Sequence, residues 1–199
     1  MSRAGDFLKR VLDRAPKTPA REFAFLHWSS PGKATEEVLG LLPVPGADPK
    51  RVLARVMDVD HYVGNVGHVT ECRSIADPAY VPPERVRFYQ RIKIPLLGEI
   101  HHELVLERVG AHGGFEVAAW SMLEPETEKL STKQGMRSQY SDGAWLAAPG
   151  VIAYAFSSAP RREDVGFLKW KALTAGADVA APKVLRENIE GMARWAAKS

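Results

Sequence analysis

The spacing of apolar residues changes along the chain, from helical at both ends to two-residue alternation in the middle. At the start, "GDFLKRVLDR" sets Phe7, Leu8, Val11 and Leu12 on one side. This predicts a short amphipathic helix, packed on the domain or serving as a membrane or partner anchor, and ended by Pro16 and Pro19. "REFAFLHW" is rich in strand formers and predicts a first strand. "ATEEVLGLL" and "DPKRVLARVM" then predict two short helices, the second opened by Asp48 as N-cap with Pro49 at its first position. "HVTECRSI", "ERVRFYQRIKI", "EIHHELVLERV" and "GFEVAAWSM" read as strands, punctuated by Pro82-Pro83, Pro95 and "GAHGG", and "MRSQYSDGAWLA", "VIAYAFSS" and "VGFLKWKAL" extend the pattern. Connections this short require antiparallel neighbours, because a parallel pair needs a long crossover. In "APKVLRENIEGMARWAAK", Ala181, Leu185, Ile189, Met192 and Ala196 share one face, and Lys183, Arg186, Glu187, Glu190 and Arg194 lie largely opposite. That is a long C-terminal amphipathic helix beginning near Pro182, whose apolar face must cover the sheet.

Alternation also assigns the two faces of the hairpin in residues 85–107. Val86, Phe88, Ile92 and Ile94 share a face with Gln90, and Ile100, Leu104 and Leu106 share a face with His102. A register that sets Ile92 opposite His102 would place Arg91 across from Glu103 and Arg87 across from Glu107, an opposite-charge ladder on an exposed face. Gln90 and His102 then stand among apolar residues, where an unpaired polar group costs about 1–3 kcal/mol. They bond each other, a backbone group or a trapped water, or they orient the polar end of a ligand. A simple hairpin at "GAHGG" would bring Ser121 near His102.

Composition narrows the function classes. A chain of 199 residues with 45% hydrophobic and 26% charged residues fits one domain with a short extension, here residues 1–19 followed by a domain over 20–199. Its 27 basic residues are offset by 24 acidic ones spread along the chain, a weak preference for anionic surfaces without the dense basic patch of a nucleic-acid binder. The single cysteine, Cys72, excludes an internal disulfide framework and multi-cysteine metal sites, and points to a reducing cytoplasm. Residues 1–17 hold no uninterrupted apolar run of a secretory signal, and no stretch approaches the roughly 20 apolar residues of a bilayer span.

Candidate chemistry is sparse. In "HHE" the adjacent histidines point to opposite faces, so His101 and His102 cannot share one ion, and His101 with Glu103 supplies only two ligands. The zinc-protease, P-loop, Rossmann and nucleophile-elbow patterns are missing. No metal or cofactor is expected, and Cys72 is expected to be small core packing.

Three stretches carry a resemblance: "DVDHYVGNVGHVTECRSI", "YQRIKIPLLGEIHHELVL" and "TAGADVAAPKVLRENI". With the order of elements, the chain resembles the START-like, or SRPBCC, superfamily over residues 20–198. The resemblance implies an α+β helix-grip fold, a curved antiparallel sheet wrapped around a long C-terminal helix with two short helices after the first strand. It also implies a cavity between sheet and helix, in which many members carry lipids, sterols or other hydrophobic molecules. The positions that resemble the family's Arg-Asp pair hold His101 and His102. The family pattern would turn His101 inward, whereas alternation turns His102 inward. The candidate ligand contacts are Phe88, Gln90, His102, Leu104, Ser121, Tyr154, Phe156, Ile189 and Met192. A hydrophobic small molecule or lipid is the expected partner. Two alternatives are a polyketide cyclase or aromatase acting through His102, and a protein-interaction domain with no small ligand. Residues 95–98 with the start of the last helix are the expected entrance, and Leu96 and Leu97 at the hairpin tip are candidates for transient membrane contact.

Overall fold

The structure, a computed structural model, describes residues 3–16, 21–94 and 98–198. Its eight strands are β1 (Ala24–Trp28), β2 (Glu37–Pro43), β3 (Val69–Ile75), β4 (Arg85–Ile94), β5 (Gly98–His112), β6 (Phe115–Met122), β7 (Met136–Ala148) and β8 (Val151–Pro160). They form one sheet in the order β1-β2-β8-β7-β6-β5-β4-β3, with every neighbouring pair antiparallel. Beyond the end of β6, β7 also meets β5 in a short parallel pairing, Ile100 to Met136 and His101 to Arg137. The sheet curves, and helices cover both of its faces.

On the inner face lie α2 (Pro49–Met57), a 3₁₀ turn (Val59–His61) and the long α5 (Phe167–Ala197). As expected, Asp48 caps α2 by accepting from the Lys50 amide at 2.9 Å. The expected apolar face of the last helix also holds, with Leu185, Ile189, Met192 and Ala196 buried. Glycine lets α5 approach its neighbours. A Cβ on Gly40 of β2 would lie 3.0 Å from the Leu185 Cβ, and one on Gly191 would lie 2.3 Å from the Asn65 carbonyl oxygen. On the outer face, α1 (Arg3–Arg14) buries Phe7, Leu8 and Val11 against Leu39, Leu146 and Ala153. The helix is fixed there by Arg10, which grips the fully buried Glu37 carboxylate at 2.5 and 2.8 Å, while the Trp28 indole N–H donates to the same group at 2.6 Å. Burial raises the Glu37 pKa, but hydrogen bonds from Arg10, Ser30 and Trp28 outweigh it and hold the carboxyl below its ordinary range.

Four sequence expectations are corrected. "ATEEVLGLL" holds strand β2 and not a helix, so one short helix and a 3₁₀ turn follow the second strand. Residues Glu37 to Leu41 are all buried because β2 is covered on both faces, and a continuous apolar run gives no period that separates helix from strand. "VGFLKWKAL" is not a strand: it runs from the end of the short helix α4 (Arg162–Val165) through Gly166 at φ 78° into α5, which begins at Phe167 and passes through Pro182. The β4–β5 register pairs Gln90 with His102 and Ile92 with Ile100, two residues away from the charge-ladder alignment. Arg87 reaches Glu103 diagonally at 2.6 Å, Arg85 meets Glu107 at 2.5 Å, and Arg91 takes Glu71 at 2.9 Å. Lastly, the face carrying His101 and Val105 is buried, covered near Glu103 by the short helix α3 (Glu124–Glu128), whose Thr127 hydroxyl accepts from the Glu103 amide.

Candidate functional site

Between the inner face of the sheet and α5 lies a cavity of about 400 Å³, inside the roughly 300–1,000 Å³ range of small-molecule sites. Strand alternation builds its wall. On β8, Tyr154, Phe156 and Ser158 keep accessible surface while Ala155 and Ser157 beside them are buried, and that surface faces the cavity. Six aromatic rings stand in the wall: Tyr62, Phe88, Trp120, Trp145, Tyr154 and Phe156. The Trp120 ring stacks on Tyr154 at 5.5 Å between centroids, with Trp145 on Tyr154 at 4.2 Å and Phe156 at 5.7 Å. Gly143 makes this packing possible, because a Cβ there would sit 1.9 Å from the Trp120 ring. The indole N–H donates to the Ser141 hydroxyl at 3.4 Å.

The polar groups at depth are neutral. His102, 2% exposed, has its Nε2 3.2 Å from Gln90 Oε1 and its Nδ1 2.7 Å from the Ser138 hydroxyl. An amide oxygen only accepts, so Nε2 carries the proton and Nδ1 accepts from Ser138. Burial, reinforced by the neighbouring His101, pushes the His102 pKa down to about 3. The imidazole is therefore neutral at physiological pH, and its lone pair is already engaged. Two other lining groups have free acceptors: Asn188 Oδ1 and Ser158 Oγ are buried without a hydrogen-bond partner. The charged side chains of the lining keep accessible surface, with Lys93 exposed and Glu36 half-buried, and His68 Nε2 lies 3.0 Å from Glu187 of α5.

Of the residues named from sequence, Phe88, Gln90, His102, Leu104, Tyr154 and Phe156 line this cavity together. Ile189 and Met192 pack in the hydrophobic core beside it and are absent from its lining. Ser121 stands on the opposite face. A bulge between Arg108 and Gly110 shifts the β5–β6 register by one residue, so Ser121 pairs with Val105 and Trp120 takes the inward place. His102 is the inward histidine. His101 lies on the other face with Nδ1 3.1 Å from the Tyr89 hydroxyl, against the orientation that the family pattern implied. Cys72 is buried in the core, and burial pushes its thiol up to about 12, which leaves it unreactive. Leu96 and Leu97 lie outside the described residues, as does most of the expected entrance at 95–98. Sequence reasoning missed Trp120, Trp145 and Asn188. A signal existed for Asn188, a polar residue in the buried stripe of α5 three positions after Leu185.

No sequence-family model matches the chain, and no curated protein matches it. Solved structures do match. Human STARD10 aligns over 98% of this chain and 81% of its own, with a TM-score of 0.69 at 13% identity. A STAR-related lipid transfer protein from Xanthomonas axonopodis aligns over 89% and 96%, with a TM-score of 0.66 at 14% identity. The di-domain ARO/CYC BexL, from the BE-7585A biosynthetic pathway, aligns over 99% of this chain and 59% of its own, with a TM-score of 0.54 at 13% identity. The chain has the START-like, or SRPBCC, helix-grip fold.

Proposed function

We propose that this protein binds a hydrophobic small molecule or lipid in the cavity between its sheet and α5. The observation that carries the reading is the cavity itself: about 400 Å³ of space walled by six aromatic rings and by aliphatic residues such as Ile100 and Leu104. Shielding apolar ligand surface from water contributes about 25 cal/mol per Å², so a wall of this kind favours an apolar occupant. A filled core would be expected of a domain that only docks proteins. The large apolar residues exposed among the described ones, Val63, Val81 and Val109, fall in three separate stretches of chain. The cyclase alternative needs a titratable group with an open lone pair facing the substrate. His102 lacks one, with Nδ1 engaged by Ser138 and Nε2 donating to Gln90.

Native mass spectrometry of the purified protein, followed by organic extraction, tests the reading. The expected result is a stoichiometric apolar adduct, either co-purified or taken up from a mixture of lipids, sterols and polyaromatic compounds. An apo mass that persists through those incubations overturns it.

A further inference from the structure

Resting on that reading, we infer that the ligand carries a carbonyl oxygen, and that this oxygen accepts a hydrogen bond from the side-chain amide of Gln90 on β4. The arrangement begins at Ser138, which is fully buried and whose hydroxyl lies 2.7 Å from His102 Nδ1. A serine hydroxyl has one hydrogen to place, and Nδ1 is the acceptor beside it. The ring proton is therefore on Nε2, which donates to Gln90 Oε1 at 3.2 Å. That bond spends the amide oxygen and fixes the amide, because turned the other way its NH2 would meet Nε2–H, donor against donor. The Gln90 nitrogen is left without a hydrogen-bond partner among the described residues, and it is not one of the atoms enclosed by protein. Gln90 lines the cavity and keeps accessible surface there, so a ligand reaches this donor.

The amide and serine acceptors of the lining are enclosed or taken. Asn188 Oδ1 and Ser158 Oγ have no partner but are shut in by protein, the first against Gly67, where a Cβ would lie 2.6 Å from it. Gln90 Oε1 accepts from His102, and Ser141 Oγ accepts from the Trp120 indole. The Tyr154 hydroxyl on β8 lines the same cavity without a partner among the described residues, and burial raises its pKa, so it stays protonated and is a second donor. A carbonyl suits such a wall because it only accepts. An alcohol would bring a hydrogen that finds no free acceptor beside Gln90, and a buried donor left unpaired weakens binding. A carboxylate would give up its hydration for one neutral amide.

Three fluorescent probes of similar length test the assignment: 5-(1-pyrenyl)pentan-2-one, 1-pentylpyrene and 1-pyrenebutanol. Titration of the full chain at pH 7.5 should show the ketone binding about threefold or more tighter than the alcohol. Gln90→Leu nearly keeps the side-chain volume and should weaken the ketone about tenfold relative to 1-pentylpyrene, the size of one hydrogen bond to a buried amide. A ketone-to-hydrocarbon ratio unchanged in a folded Gln90→Leu protein overturns the inference and leaves the hydrophobic-ligand reading standing, as does an alcohol that binds the wild-type chain as tightly as the ketone. Should that variant not fold, infrared difference spectra of the carbon-13-labelled ketone decide the matter. Bound to wild type and to Tyr154→Phe alike, its carbonyl band should lie below the position it takes in an alkane. A band at the alkane position in wild type, or a shift that vanishes in Tyr154→Phe, overturns the assignment to Gln90. Failure of all three probes to bind refutes the hydrophobic-ligand reading itself.

Discussion

The two faces of the central strands are both buried, yet they are filled in opposite ways. On the outer face the sheet presents buried aliphatic residues without aromatic rings, among them Ala144, Ala153 and Ala155 at 0% exposure beside Leu39 and Leu146, and Phe7, Leu8 and Val11 of α1 join them in one closed cluster. On the inner face the same strands present Trp120, Trp145, Tyr154 and Phe156, and space for a ligand still remains. Aromatic side chains here accompany a cavity, and aliphatic ones accompany close packing. The difference lies in the covering helix. α1 packs on alanines set among Leu39, Leu41 and Leu146, whereas α5 touches the sheet closely at Gly40 and is braced by the 62–68 loop at Gly67 and Gly191. Aromatic side chains standing off the sheet then wall the volume that the helix does not fill.

The contrast is tested most severely at Gly143. A Cβ there would meet the Trp120 ring at 1.9 Å, and the indole is hemmed in by Tyr154. Gly143→Ala should cost about 3 kcal/mol in urea denaturation and alter the near-ultraviolet circular dichroism of the tryptophans. A variant as stable as wild type would show that the indole does not depend on that glycine. On the outer face the corresponding fixture is the Arg10–Glu37 pair. Arg10→Met leaves a carboxylate at 0% exposure with only Trp28 and Ser30 as donors, and should cost about 3 kcal/mol. Combining it with Glu37→Met should recover most of that loss, since the stranded charge is then gone. If the double variant is no more stable than Arg10→Met, the penalty is not one of buried charge.

How far the sequence announced this arrangement follows the same division between faces. The β4 and β5 faces were legible because polar and apolar residues alternate there, which is how Gln90 and His102 stand out. β2 was not legible, since burial of both faces erases alternation over Glu37 to Leu41. Ser121 was misplaced by one bulge, a feature that costs one residue of register and turns every later side chain over. The start of α5 was hidden because "VGFLKWKAL" mixes apolar and polar residues in a strand-like order. The alanine-rich stretch that follows favours helix strongly enough to absorb Pro182. Register between β4 and β5 was set two residues away because opposite charges tolerate several alignments: Arg87 finds Glu103 across a diagonal as readily as it would find Glu107 directly.

Acid separates the two buried histidines, His102 on the inner face and His101 on the outer, from the paired carboxyls. His102 has a folded pKa near 3 against 6.5 when unperturbed, so between those values the unfolded chain binds the proton and the folded one does not. Stability therefore rises with pH across that window, is complete above about 6.5, and falls by about 1.4 kcal/mol per unit below it. From pH 6.5 to 5 the expected loss from His102 is about 2 kcal/mol. His101, also held below its ordinary value by burial and by Arg91, adds to it in the same sense. Glu37, Asp77 and Asp164 are carboxyls with lowered values, so their contributions disappear only in stronger acid. Denaturation curves of His102→Gln should be flatter than wild type across pH 5–6.5. Parallel curves would mean that the imidazole takes up its proton in place.

The smallest expected change in stability carries the sharpest statement about the void. Leu104 is 1% exposed and lines the cavity, so Leu104→Phe pushes its added ring volume into space that holds no protein atom. Stability should move by less than about 1 kcal/mol, because enlarging a side chain is costly only where neighbours must be displaced. The same change should compete with a ligand for room. Uptake of 1-pyrenebutanol should drop at least tenfold, and the rise in melting temperature that a bound ligand produces should shrink accordingly. Ala153→Leu on the outer face adds a comparable bulk beneath α1 and should cost about 2 kcal/mol, with pyrenebutanol uptake intact. If the two substitutions destabilise equally, the inner face is as tightly filled as the outer one, and the cavity has closed in solution.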